Sequence, residues 1–465
     1  MIAQVLNRQF VLDQLEEVRQ ILQDAAAPER RGATGIEPAA AAAALAELDA
    51  VRVKEAAASS GQPGFEPPPP ERRGEEAAPL DDFSFFSRDA VLSNLQSALE
   101  QVMREKEELV SAELPDDRRS FDADVAVTDV SLKDVPAPTR DLDGRRIFDK
   151  FSVTDIRWVS ALLSEGVRKL RGRYPFPDEP AAPVRIGDRA RLLVVGDWGS
   201  GLPRAQKVAQ EMRKVLDEGI ANRREQHVLH LGDVYYSGWE YEYRDRFLSY
   251  WPVRLGEEET ITSWNLNGNH DMYSGGHAFY GYALQDPRFK RQQGKSHFSL
   301  QNDHWTLLGL DTAWEDGGLA GHQAQWAAAT LTGASGKGML LSHHQIFSAY
   351  ESGNPVLSEK IAPVLATGRV KSWIWGHEHR CVFYGPHQGV DVARCLGHGG
   401  VPVYMTHTID DPYPAPSFYE YRNFIDKGLE HWALFGFAVL DFDGPVIHVR
   451  YLDENGKEHQ SEQIG

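Results

Sequence analysis

Cysteine is almost absent from this chain, which has only Cys381 and Cys395 among its 465 residues. Two cysteines exclude a disulfide scaffold and a cysteine-based zinc module. They could form a single bridge, but we expect both to be free buried thiols. Long apolar runs are missing too: the longest, residues 433–440, is far short of the roughly 18 residues that a membrane-spanning helix needs. Acidic residues such as Asp13 interrupt the first apolar positions, unlike a signal peptide, so we expect no membrane span and a cytoplasmic location.

Positive charge is scarce, and histidine is missing from half of the chain. Lys and Arg number 49 against 68 Asp and Glu, a formal net charge of −19. Such an acidic protein is not expected to bind nucleic acid through bulk electrostatics, and an anionic substrate would need a local source of positive charge. All 17 histidines lie at or after His227. Because histidine is the commonest metal ligand and general acid or base near neutral pH, we expect the chemistry in the second half.

Residues 1–186 alternate helical patterns with low-complexity segments. Apolar residues recur at three- and four-residue intervals in three segments, residues 2–22, 92–103 and 156–170. The proline run at 67–70 breaks any helix, and residues from about 28 to 80 are expected to be a flexible linker. We therefore predict a partly disordered helical N-terminal region. Its helices are expected to cover the neighbouring domain, to mediate protein contacts or to lie on a membrane surface.

Residues 187–465 have a different pattern, in which short apolar runs end abruptly in polar loops. These runs are residues 191–195, 228–231, 264–267, 339–341 and 372–375. Amphipathic stretches at 204–217 and 322–331 predict helices between them. This alternation predicts a layered α/β domain, in which polar groups at the carboxyl ends of the strands converge on one rim.

Every one of these strand ends carries a side chain that can bind a metal. The candidates are Asp197, Asp233, Asn269, His343, His377 and His379. A single Gly-Asp pair after a strand is commonly just a turn, but the full set is sufficient for two metal ions. Carboxylate and imidazole donors suit Fe, Mn or Zn better than Ca. Two such ions can hold an attacking hydroxide, bind ester oxygens and stabilise a leaving alkoxide, and they supply the missing positive charge.

The same residues fall in an ordered series of motifs that resembles the calcineurin-like metallophosphoesterase superfamily. The series is Gly-Asp-Trp-Gly (196–199), Gly-Asp-Val-Tyr-Tyr (232–236), Gly-Asn-His-Asp (268–271), Ser-His-His (342–344) and Gly-His-Glu-His (376–379). The resemblance covers most of residues 190–450. It implies a four-layer α/β/β/α sandwich at 187–465, following the region 1–186.

Two details narrow the resemblance to the purple acid phosphatases. Gly199 stands where many members of the superfamily have a histidine, and Tyr236 follows Asp233 by three residues. In purple acid phosphatases a tyrosine replaces the missing histidine ligand, which implies Fe(III) at the Tyr236 site and Fe(II), Zn or Mn at the other. The alternative for Tyr236 is a place in the core or pocket lining, since Tyr235 is adjacent and further aromatic residues follow.

The resemblance also distributes roles among the residues. The first metal would bind Asp197, Asp233, Tyr236 and His379, and the second would bind Asp233 as a bridge, Asn269, His343 and His377. A metal-bound hydroxide would be the nucleophile, with His270 facing the leaving group as the general acid or contacting the phosphate. Possible supporting residues are Asp271, His344 and His398, of which His344 also competes with His343 as the ligand.

The sequence therefore predicts a binuclear metal-dependent hydrolase of small phosphorylated molecules, a phosphomonoesterase similar to purple acid phosphatases. Phosphodiesterase or nucleotide hydrolase activity from the same centre is the nearest alternative. A catalytically silent scaffold of the same fold is an alternative from another class, against which the intact set of ligands weighs.

Overall fold

The computed structural model describes residues 86–113, 172–351, 353–402, 414–419, 424–427 and 430–465, with scattered positions between 11 and 50. The chain divides into two compact units, Met1–Gly172 and Arg173–Gly465. Among the described residues, no helix is both long enough and apolar enough to span a bilayer.

The first unit contains helix α1 (Ala90–Glu113), which confirms the helical pattern predicted at 92–103. Leu92, Leu95 and Leu99 are buried along one face of this helix. The side chain of Asp89 caps its start by accepting the backbone N–H of Val91 at 2.9 Å.

The other N-terminal segments are described only in part. Described positions between 11 and 23 are helical, as the pattern at 2–22 predicts. Within the predicted linker, described positions between 42 and 50 are also helical, and Leu48 is buried there. The helical pattern at 156–170 lies outside the described residues.

The second unit is built from two main sheets with helices on both sides. Its strands are β1 (Val184–Arg185), β2 (Arg191–Val195), β3 (Gln226–His230), β4 (Ile261–Asn265), β5 (Phe298–Gln301), β6 (Trp305–Gly309), β7 (Lys337–Ser342), β8 (Val370–Trp375), β9 (Cys381–Tyr384), β10 (Val392–Leu396), β11 (Pro416–Tyr419), β12 (Phe424–Lys427), β13 (Glu430–Ala433), β14 (Gly436–Asp443), β15 (Val446–Asp453) and β16 (Glu458–Ile464). Its α-helices are α2 (Pro203–Ala221), α3 (Glu240–Glu242), α4 (Asn269–Tyr273), α5 (His277–Gly281), α6 (Gln323–Gly333) and α7 (Pro355–Leu365).

The strand order explains why the loops after β2, β3, β4, β7 and β8, which carry the predicted ligands, lie close together. One sheet has the order β16-β15-β14-β2-β3-β4, and the other has the order β1-β5-β6-β7-β8-β10-β9-β11. Strands β2, β3 and β4 are mutually parallel, as are β6, β7, β8 and β10. Because parallel strands end at the same edge of a sheet, the loops after β2, β3 and β4 lie together, and so do those after β7 and β8.

Two apolar cores separate the layers. Residues of both sheets, such as Leu192 of β2 and Leu307 of β6, share the core between them. The other face of the larger sheet packs against α6 and α7 through residues such as Leu331 and Ile361. Helix α2 buries its own apolar face and lies against β3 and β14 of the smaller sheet. The order helix, sheet, sheet, helix confirms the predicted α/β/β/α fold class.

The predicted strands and helices are present, although several boundaries differ. Strand β4 begins at Ile261, three residues before the predicted start. The apolar pattern missed this part of the strand because Thr262 and Ser263 are polar, although both are buried. Burial on both faces removes the apolar alternation from which a sequence pattern locates a strand. Both cysteines are buried and free, as expected.

Candidate metal centre

The predicted ligands follow the carboxyl ends of five parallel strands. Loops after β2, β3 and β4 carry Asp197, Asp233 and Asn269, while those after β7 and β8 carry the three histidines. Two sets of these side chains bring their ligand atoms within 4.8 Å of one another: Asp197 with Asp233 and His379, and His343 with His344 and His377. Five of the six predicted ligand candidates lie in these two groups, and the sixth, Asn269, has its Oδ1 3.0 Å from both His343 Nε2 and His377 Nδ1.

In the first group, the atoms that could bind a metal surround the hydroxyl of Tyr235. This oxygen lies 3.1 Å from Asp197 Oδ1, 3.1 Å from Asp233 Oδ2 and 2.9 Å from His379 Nε2. A phenol has a single hydrogen and can donate it to only one of the three. Burial, followed by the charges of Asp197 and Asp233, raises the pKa of Tyr235 well above its usual value. The group is therefore rich in lone pairs and short of positive charge.

The tyrosine in this group differs from the one that the motif spacing indicated. The sequence predicted Tyr236, but the structure puts the hydroxyl of Tyr235 among the ligands. The ring of Tyr236 instead packs against Arg246, whose Cζ lies 4.4 Å from the ring centroid. The backbone N–H of Tyr236 donates to Glu242 Oε1 at 2.6 Å. Spacing alone could not choose between adjacent tyrosines, because residues in an irregular loop do not follow the fixed directions of a helix or strand.

The second group is organised around His343. Its Nε2 lies 3.0 Å from Asn269 Oδ1, 3.2 Å from His377 Nδ1 and 3.5 Å from Asp233 Oδ2. On the other side of the ring, Nδ1 lies 3.0 Å from the carbonyl oxygen of Leu231. A carbonyl only accepts, so Nδ1 carries the hydrogen, and the Nε2 of a neutral imidazole presents a lone pair.

Asn269 adds an amide oxygen to the lone pairs that face one another in the second group. Its Nδ2 donates to the hydroxyl of Tyr273 at 2.7 Å, which turns Oδ1 toward His343 and His377 at 3.0 Å each. An imidazole lone pair, an amide oxygen and a carboxylate oxygen therefore face one another inside the protein. Such an arrangement is unfavourable by itself and favourable around a cation.

Asp233 is shared by the two groups. Its Oδ2 is close to Tyr235 in the first and to His343 in the second, while Oδ1 accepts the backbone N–H of His270 at 3.0 Å. The side chain is only 1% exposed, and burial raises its pKa above the usual range. A carboxylate in this position can bridge two metal ions.

The loops reach this geometry through an uncommon backbone conformation. Asp197, Asp233, His377 and His379 have φ values of +55°, +76°, +72° and +54°. The left-handed region costs a residue with a side chain roughly 1–2 kcal/mol. Four such residues at the predicted ligand positions are typical of a functional site, where the surrounding structure maintains local strain.

Asp271 ties the second and third motifs together. Its two carboxylate oxygens accept the backbone N–H groups of Asp233, Val234 and Gly268 at 2.7–3.1 Å, and the hydroxyl of Tyr243 also donates to it. Burial, with a smaller contribution from Asp233, raises the pKa of Asp271 to about 7. The supporting role of Asp271 stays a prediction.

The remaining predicted residues lie in three different surroundings. His270 is 1% exposed, and its Nδ1 lies 2.6 Å from the carbonyl oxygen of Tyr236. His344 adjoins the second group with its Nδ1 3.1 Å from Thr312 Oγ1. His398 instead lines a small cavity with residues such as Phe435 and His459. Its pKa is lowered by burial to about 3, so it is a neutral residue of that cavity.

Sequence reasoning missed two residues that act on this site. Tyr235 was visible as a neighbour of the predicted tyrosine, but no pattern favoured it. Glu242 is buried, and it accepts backbone N–H groups of Tyr236, Ser237 and Trp239 at 2.6–3.0 Å, which holds the tyrosine loop. It lies outside every motif, so nothing in the sequence singled it out.

Part of the chain is similar in sequence to known phosphoesterases. Residues 190–381 match the family model described as calcineurin-like phosphoesterase. The chain is 24% identical over 295 residues to tartrate-resistant acid phosphatase type 5 of Sus scrofa, which covers 57% of this chain and 84% of the relative. The Homo sapiens protein of the same name is 25% identical over 295 residues, with 57% and 88% covered.

Solved structures with a related arrangement include a dimetal phosphatase from Danio rerio, with a TM-score of 0.39 and 13% identity over 62% of this chain and 99% of that one. Another is GAP50 of Plasmodium, the anchor in the inner membrane complex, with a TM-score of 0.43 and 13% identity over 60% and 89%.

Residues 190–381 therefore match a calcineurin-like phosphoesterase domain, and this match, together with the acid phosphatase relatives, supports a metal-dependent phosphoesterase. This confirms the predicted family and the prediction of an enzyme. The matched family implies a dinuclear metal site, and the structure has two groups of candidate ligands, with Asp233 of the first group 3.5 Å from His343 of the second.

The close approach of Gly268 to the ligands gives a direct test of this site. A Cβ at position 268 would lie 2.1 Å from Asp233 Oδ1 and 2.7 Å from His343 Cε1. We expect Gly268→Ala to displace both ligands and to weaken metal binding about tenfold or more, measured as metal content after dialysis at fixed free metal. Gly281→Ala is the matched control, because a Cβ there meets nothing within 4 Å. Undiminished metal content in Gly268→Ala would contradict the geometry.

Proposed function

We propose that this protein hydrolyses phosphate monoesters of small molecules at a binuclear metal centre, in the manner of purple acid phosphatases. The observation that carries the proposal is the convergence of buried lone pairs in two groups that share Asp233. The similarity to tartrate-resistant acid phosphatases, with most of their length matched, supports the choice of monoesters.

The donor types fit two different ions. The first ion would be held by Asp197, Asp233, His379 and the Tyr235 oxygen, and the second by Asp233, Asn269, His343 and His377. A tyrosinate is a hard anionic donor, which favours Fe(III) in the first position. Imidazole, amide and carboxylate donors in the second position suit Fe(II), Zn or Mn.

The bound ions would supply Lewis acidity, activating water and neutralising charge on the phosphate. The chain's contribution is to fix the ligands and to provide a proton. The Nδ1–H of His270 is directed at the Tyr236 carbonyl oxygen, so its Nε2 is the nitrogen available for proton transfer. The backbone N–H of His270 donates to Asp233 Oδ1, which ties this imidazole to the shared ligand. We infer that His270, as an imidazolium with a second hydrogen on Nε2, gives that proton to the oxygen of the departing alcohol and is left as the neutral imidazole.

The proposal is tested by comparing matched mono- and diester substrates. Purified full-length protein loaded with iron and zinc should hydrolyse p-nitrophenyl phosphate much faster than bis(p-nitrophenyl) phosphate. An Asp233→Asn variant serves as the inactive control. The reverse preference would favour a phosphodiesterase, and no turnover of either ester with Fe, Mn or Zn would favour a catalytically silent scaffold.

The adjacent tyrosines provide a matched pair of variants. If Tyr235 binds Fe(III), the oxidised iron-loaded protein should have a visible charge-transfer band. We expect Tyr235→Phe to abolish this band and Tyr236→Phe to retain it, as measured by absorption spectroscopy at equal iron content. Loss of the band only in Tyr236→Phe would show that Tyr236 is the iron ligand, as the motif spacing indicated.

The role of His270 is separable from metal binding. We expect His270→Ala to lower kcat by about 10²–10⁴, the usual contribution of a general acid, while both metals remain bound. Turnover and metal content should be measured on the same samples. A variant that loses its metals as well would show that His270 has a structural role.

A further inference from the structure

The segment that follows β7 is attached to the last ligand motif by a series of contacts. Ser348 Oγ donates to Glu378 Oε2 at 2.7 Å, and the hydroxyl of Tyr384 accepts the backbone N–H of Ala349 at 3.0 Å. The guanidinium carbon of Arg380 lies 4.1 Å from the ring centroid of Tyr350. No sequence motif singled out this segment, yet it lies directly beside the ligands His377 and His379.

Glu351, in this segment, faces the outer nitrogen of His377. The Oε2 of Glu351 lies 3.4 Å from His377 Nε2. The opposite ring nitrogen, Nδ1, lies 3.0 Å from Asn269 Oδ1 and 3.2 Å from His343 Nε2. His377 therefore has one nitrogen directed at the second group of ligands and the other directed at a carboxylate.

We propose that Glu351 is a positioning residue that orients His377 toward the second metal ion by accepting its Nε2–H. This inference rests on the proposed binuclear centre. A carboxylate that accepts the distal N–H of a ligating histidine fixes its tautomer and ring orientation and makes the ligating nitrogen more basic. The side chains of Glu351 and His377 are 23% and 18% exposed, so solvent screens their interaction only in part.

The turn that presents Glu351 is itself fixed by Glu378, the residue between the two histidines of the last motif. Ser348 Oγ accepts the backbone N–H groups of Tyr350 and Glu351 at 2.8 and 3.1 Å. Glu378 accepts from this hydroxyl with one oxygen and from Trp375 Nε1 with the other, at 3.0 Å. The glutamate of Gly-His-Glu-His thus links the ligand loop to the turn that orients one of its ligands.

The test is a zinc titration of metal-stripped full-length protein against a chromophoric chelator. Wild-type protein should bind two zinc ions. We expect Glu351→Ala to weaken one of them by about 10–100-fold and to leave the other unchanged. Glu351→Gln should recover part of the loss, because its amide oxygen still accepts a hydrogen bond. Ser348→Ala should weaken the same ion by less.

Glu359→Gln is the matched control, since Glu359 is exposed on α7. An iron-loaded Glu351→Ala sample provides a second readout, in which the visible tyrosinate band should persist while the second metal is lost. The positioning role would be overturned if Glu351→Ala bound both zinc ions with unchanged affinity. It would also be overturned if the affinity for both ions fell equally and the midpoint of thermal unfolding of the variant fell as well. A wild-type protein that binds no zinc would instead refute the proposed binuclear centre itself.

Discussion

The second unit depends on one buried carboxylate that two groups of ligands share. Asp233 contacts Tyr235 on one side and faces His343 on the other, and it is almost completely buried. Removing an anion from water is costly unless an opposite charge or several donors compensate it. Its partners include a phenol and a backbone amide, which are weak compensation for a full charge. A pair of cations would compensate the buried negative charge of Asp233. The same residue therefore determines both the stability of the site and its capacity to bind metal.

The two-sheet architecture is what brings such a residue to its partners. Three parallel strands of one sheet and two of the other end at the same rim, so short loops from distant parts of the chain meet there. Four of the ligand candidates have left-handed backbone conformations, and Gly268 allows Asp233 and His343 to approach its backbone closely. The apolar cores on both sides of the larger sheet keep these strained loops in place.

The sequence predicted what is periodic or local and missed what depends on side-chain direction. Short apolar runs located the strands that carry the ligands, and a polar side chain after each run located six of the ligand candidates. The choice between Tyr235 and Tyr236 depended on the path of an irregular loop, which spacing does not determine. Glu351 lies eight positions after His343, outside any motif, and only the turn at Ser348 brings it to His377.

Anomalous diffraction from a crystal of metal-loaded protein tests most directly whether two cations share Asp233. Data collected at the iron and zinc absorption edges should show two peaks about 3.5–4 Å apart, with a carboxylate oxygen of Asp233 contacting each. A single peak, or ligand side chains that remain apart and without metal in the presence of excess iron and zinc, would contradict the account.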